Sequence, residues 1–116
     1  MDELLSDLAH SIEASLAIDA ALADRTIAQL HRSTGAPQLE RSHLESSERL
    51  LALIYELRPG WTVSVKGVAR FPNGHWRCTL RQSELRDNDE FVGVGSGPTM
   101  AHAMLVAMLK VLALAP

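Results

Sequence analysis

Trp61-Thr62-Val63-Ser64-Val65-Lys66 and, after a short gap, Trp76-Arg77-Cys78-Thr79-Leu80-Arg81 are the two stretches that decide the fold of this chain. In each, apolar and polar residues alternate with a period of two, as a β-strand with one buried face requires. Between them stands Phe71-Pro72-Asn73-Gly74, whose Asn-Gly pair tolerates the positive φ of a tight hairpin turn, so the strands are expected to pair antiparallel. The register then sorts the side chains. With Trp61, Val63, Val65, Trp76, Cys78 and Leu80 turned inward, Lys66, Arg77 and Arg81 stand on the opposite face, and Arg70 joins them unless Gly67 forms a bulge. Ser83 to Glu90 reads as a loop, and Phe91-Val92-Gly93-Val94-Gly95 as a short third strand.

Outward from this hairpin the period changes to that of helices. Leu4, Leu5, Leu8, Ile12 and Leu16 form one apolar face, and Ala20 to Leu30 either continues that helix or follows a break near Ser15. The N-terminal helical segment, residues 1–32, ends in a linker over residues 33–41 that contains Gly35 and Pro37. Ser42-His43-Leu44-Glu45 has capping-box spacing and predicts a helix start, with Leu44, Leu50, Leu51, Ile54 and Leu57 as its stripe and Arg58-Pro59-Gly60 as its stop. After Gly97-Pro98-Thr99, Met100 to Leu114 is apolar on nearly every side, interrupted only by His102 and Lys110. Such a helix must be covered twice, by its own sheet and by the N-terminal helices or another subunit. The expected fold is therefore α+β in one domain, residues 1–116: an N-terminal helix or helical hairpin, then an α-β-β-β-α unit over residues 42–116. Its sheet is three-stranded and antiparallel, with the helices on one face.

Composition narrows the functional classes. The chain has 116 residues, 47% hydrophobic and 22% charged, with a formal net charge of −3. That charge is unevenly spread: residues 1–57 carry 10 acidic and 4 basic side chains (−6), residues 58–86 carry 1 and 6 (+5), and residues 87–116 carry 3 and 1 (−2). The hairpin is a basic island. One cysteine excludes an intramolecular disulfide framework or a multi-cysteine zinc site and suits a reducing compartment. Asp2 and Glu3 behind Met1 do not open a secretory leader, and no apolar run is long enough for a membrane span, so a cytoplasmic protein without a membrane partner is expected.

The element order from Ser42 to Leu114 resembles the double-stranded-RNA-binding domain, and Gly93-Val94-Gly95-Ser96 before an alanine-rich helix is similar to that family's last strand and helix. The resemblance implies the topology. It departs at the residues that grip RNA, because the helix start reads Pro98-Thr99-Met100-Ala101-His102 with no lysine. A second resemblance is local. Trp76-Arg77-Cys78, then Val92-Gly93-Val94-Gly95-Ser96-Gly97-Pro98-Thr99, then Ala101 and Ala103 look like the pattern of small phage-encoded ABA-sandwich proteins, which implies a phage or prophage origin and no established activity.

Catalytic motifs are sparse. Gly93-Val94-Gly95-Ser96-Gly97 lacks the lysine and the glycine spacing of a phosphate-cradling loop and reads as a tight strand-to-helix connection. Cys78 lies between Trp76 and Leu80 on the inward face, where a thiol packs as a small hydrophobe; a thiol hydrolase using His75 or His102 is the catalytic alternative. The five histidines fall on separate elements, as surface or second-layer residues without metal-ligand spacing, and no metal or cofactor is expected. Met100, Met104 and Met108 form one helical stripe, readable as core or as an adaptable interface. The reading that results is a non-catalytic protein-interaction module, homodimeric through its apolar helices, of the kind that could inhibit a bacterial defence complex as anti-CRISPR proteins do. Lys66, Arg70, Arg77 and Arg81 are its candidate contacts to phosphate or an acidic partner. Nucleic-acid binding on the same face is the alternative, and the plainer reading is that these residues keep an open sheet face soluble and pair with Glu84, Asp87, Asp89 and Glu90.

Overall fold

Each α-helix begins where a short polar side chain accepts one of the amides that the first turn leaves unpaired. Asp2 accepts from the Leu5 N–H at 3.1 Å, Asp19 from Leu22 at 2.7 Å, Ser46 from Arg49 at 3.2 Å and Thr99 from His102 at 3.1 Å. The computed structural model describes residues 2–36, 39–68, 75–82 and 92–114. These form α1 (Glu3–Glu13), α2 (Ala20–Thr34), a 3₁₀ turn (Arg41–Glu45), α3 (Ser47–Leu57), β1 (Thr62–Val68), β2 (His75–Arg81), β3 (Val92–Gly97) and α4 (Met100–Leu114). The protein is α+β, with one antiparallel sheet in the order β1-β2-β3.

The N-terminal segment is two helices. Ala14 to Asp19 separates them, Asp19 starts the second, and Gly35, at φ 71°, ends it in the left-handed conformation that glycine adopts without strain. The helix expected to begin at Ser42 begins instead at Ser47. Ser46 supplies its cap, while the Glu40 N–H donates to His43 Nδ1 at 3.1 Å and holds the preceding residues in a tighter turn.

In the sheet, Val65 pairs with Cys78, Lys66 with Arg77 and Gly67 with Trp76, and the ladder runs unbroken from Thr62 to Val68. Gly67 is therefore not a bulge. A Cβ there would stand 2.3 Å from the ring of Trp76, so the glycine makes room for the indole lying across it. Cys78 and Leu80 are buried, Trp61, Val63, Val65 and Trp76 pack against the core, and Lys66 and Arg77 are exposed, which is the register that the alternation predicts. The Asn-Gly turn, Arg70 and the loop at 83–90 lie outside the described residues.

Twelve of the fifteen residues of α4 are buried. The sheet covers one side of this helix; α1, the 3₁₀ turn and α3 cover the rest, and α2 packs on α1 and the turn. Met104 and Met108 are 2% exposed and Met100 packs against the core. Of the two readings open for the methionine stripe, core and interface, the structure gives core, and among the described residues α4 leaves only Lys110, Leu114 and part of Met100 uncovered.

On the inner face of β3, glycines replace side chains. A Cβ on Gly95 would meet the Ala103 carbonyl oxygen at 2.4 Å and the Ala107 nitrogen at 2.5 Å, and one on Gly93 would meet Val111 at 2.4 Å. Helix backbone thus rests directly on strand backbone. Replacing Gly95 by Ala forces that contact apart, and urea denaturation is expected to show a loss of about 2 kcal/mol. Gly67→Ala displaces only a half-exposed indole and is expected to cost less.

Candidate functional site

The outer face of the sheet carries Thr62, Ser64, Lys66 and Val68 from β1, His75, Arg77, Thr79 and Arg81 from β2, and Val92, Val94 and Ser96 from β3. Lys66 and Arg77 are direct cross-strand partners, so two like charges stand side by side. That arrangement is mildly unfavourable in a sheet. Arg81, half-buried, lies further along β2 on the same face. The three cations predicted within the described residues are thus on one surface; Arg70, the fourth, lies outside the described residues.

No carboxylate belongs to the described part of this face. Among the described residues the ion pairs are Arg41–Asp24 at 2.6 Å and Lys110–Glu13 at 2.9 Å, both on the helical side. Arg41 and Asp24 are exposed, and the guanidinium holds the Asp24 carboxyl below its usual range. Such a pair contributes little to stability.

The second pair does something the sequence reading did not foresee. Lys110 Nζ donates to Glu13 Oε1 and to the Val94 carbonyl, both at 2.9 Å, and Glu13 Oε2 accepts from the Ser96 N–H at 3.0 Å. One carboxylate and one ammonium therefore take up two of the backbone groups along the outer edge of β3, the Ser96 N–H and the Val94 carbonyl. The available signal was Lys110 itself, the only charge on an otherwise apolar helix. His102 gave a similar signal: it is buried, and its Nε2 donates to the Ile12 carbonyl at 2.6 Å, tying the end of α1 to the start of α4. It departs from the surface or second-layer role expected of the histidines.

Cys78 is the one thiol of the chain. Its side chain is fully buried, and burial pushes the thiol up from 9.0 to about 11. A thiol so held is neutral at physiological pH and beyond the reach of substrate, which removes the basis for a thiol hydrolase at this residue. His75 lies on the opposite face of the sheet, and His102 is engaged with α1. Among the described residues no group of three or more His, Cys, Asp or Glu gathers to hold a metal, and no helix is long and apolar enough to cross a membrane. A groove of about 370 Å³ between α1 and α2 is lined by Leu4, Leu8, Asp7, Ser11, Arg25 and Arg32, with no histidine or cysteine beside the Ser11 hydroxyl. No protein-family model, curated protein or solved structure matches this chain.

The buried thiol yields a pH prediction. Because the fold favours the neutral form, Cys78 contributes stability that is complete below pH 9.0 and is lost as pH rises through about 11. The difference in unfolding free energy between the protein and its Cys78→Ala variant should be flat below pH 9.0. It should shrink by roughly 2 kcal/mol above that value. The native thiol should also resist a thiol reagent at pH 8 that labels the unfolded chain at once.

Proposed function

We propose that this chain is a non-catalytic binding module that takes an acidic protein surface on the open face of its sheet. The observation that carries the reading is the Lys66–Arg77 pair, with Arg81 beside it on a face that no helix covers. Beyond keeping an open sheet face in water, these cations serve no contact within the described structure. They point away from the core, two of them repel each other, and none is paired with a carboxylate among the described residues. Carboxylates of a partner would relieve that repulsion, and Arg77 and Arg81 each offer a planar fork that matches a carboxylate with two parallel hydrogen bonds.

A protein partner suits this face better than nucleic acid does. The described outer face lacks Phe, Tyr and Trp, so it offers no platform for stacking unpaired bases. Three cations would neutralise few phosphates, and the chain as a whole, with its net charge of −3, opposes a long polyanion. Nucleic acid remains the second reading because Lys66 and Arg77 stand close enough to share one phosphate.

Fluorescence anisotropy with a glutamate-rich peptide, duplex DNA, and single-stranded DNA and RNA separates the two readings. At low salt the peptide should bind, and Arg77→Glu with Arg81→Glu should weaken it at least about tenfold. If the double variant instead abolishes binding of a nucleic acid and leaves the peptide unaffected, the second reading takes its place. Failure of every probe to bind, or binding that ignores the double change, overturns both.

A further inference from the structure

The two edges of the sheet are treated differently. Along β3 the Ser96 N–H and the Val94 carbonyl point away from β2 and are taken up by Glu13 and Lys110. In an antiparallel ladder the N–H and C=O of one residue point to the same side, and successive residues alternate. Gly93 and Gly95 therefore face β2, and Cys78, the partner of Gly95, faces β3. Arg77 and Thr79 must then face β1, where they meet Lys66 and Ser64. It follows that the N–H and C=O groups of Val63, Val65 and Gly67 point out along the far edge of β1. Among the described residues nothing takes them up. Of the usual edge protections it has one charge, Lys66, and neither a proline nor a bulge.

We infer that the β1 edge is the site at which a second copy of this chain adds, joining two sheets into one six-stranded sheet about a two-fold axis at Val65. The register follows from chemistry. The outward-pointing residues Val63, Val65 and Gly67 must exchange hydrogen bonds with the same residues of the partner, which leaves few two-fold positions. An axis at Lys66 sets that ammonium against the partner's Lys66. An axis at Val65 pairs Val63 with the partner's Gly67, Val65 with the partner's Val65, and Lys66 with the partner's Ser64. All three N–H and all three C=O groups of each edge are then used, and no charge faces its like directly. The side chains agree: Val63, Val65 and Trp61 on the inner side are only partly covered, and Val68 on the outer side is 50% exposed. The same axis brings the Lys66–Arg77 pair of each chain onto one continuous outer face.

Sedimentation equilibrium of the full chain tests both the association and its register. The protein should be a reversible dimer. Ser64→Glu sets a carboxylate against the partner's Lys66 twice per dimer and should tighten the dimer roughly fivefold at low salt; Ser64→Lys should weaken it by a similar factor. Val65→Pro removes an amide that points only outward and should give a monomer whose circular dichroism retains the native helices. If that variant fails to fold, the opposite shifts of the two Ser64 variants still decide the matter. A protein that stays monomeric to about 100 μM, or a dimer that responds equally to both Ser64 changes, overturns the inference.

Discussion

The backbone of α4 lies against the backbone of β3, with no side chain of the strand between them. At Gly95 a single added methyl would enter the space held by the Ala103 carbonyl and the Ala107 amide. Small residues on the helix answer small residues on the strand: Ala103 and Ala107 are fully buried opposite Gly93 and Gly95. This close approach has two consequences. It places an almost wholly apolar helix at the centre of a small protein, where α1, α3 and the 3₁₀ turn can enclose the sides that the sheet does not reach. It also brings Lys110, near the end of that helix, within hydrogen-bonding distance of the edge of β3.

Lys110 and Glu13 illustrate how a costly group becomes useful. An ammonium on an apolar helix is tolerated only when its donors are matched, and here one goes to a carboxylate and another to a backbone carbonyl. The carboxylate in turn accepts a strand amide. Two side chains from opposite ends of the chain thereby occupy the middle of the β3 edge, where a purely apolar contact would leave these two backbone groups unpaired. His102 makes the same kind of tie one element away, joining the start of α4 to the last turn of α1.

Much of this was legible in the residues. Period-two alternation around Trp61 to Lys66 and Trp76 to Arg81 determines which face of each strand is buried, because a shift of one residue would put Arg77 under the helices. The enclosed character of α4 follows from its lack of a polar side. Less could be read where competing local signals are equal. Ser42 and Ser46 each offer a helix cap, and the choice between them depends on how Glu40 and His43 close the intervening turn. Gly67 has the composition of a bulge, and only the position of the Trp76 ring shows that space is what the glycine provides. The Glu13–Lys110 pair spans nearly the whole sequence, and its local surroundings in the chain do not point to a partner. The outward cations were identified from alternation alone, but their mutual placement needed the pairing of the strands.

The stability of the fold and the character of its open surface rest on separate residues. Apolar burial around α4 supplies the driving force, and that core touches the sheet only from the inside. Lys66, Arg77 and Arg81 take no part in it; by repulsion, Lys66 and Arg77 subtract a few tenths of a kcal/mol from it. Within a strand the two sets of residues alternate, so each core position is flanked by surface positions whose side chains never meet the helices. A change at Arg77 leaves Cys78 and Trp76 where they are, whereas a change at Gly95 moves α4 and everything packed on it. Residues of the outer face can therefore be chosen for contacts other than packing, and it is there that a small domain with an enclosed core can acquire a partner.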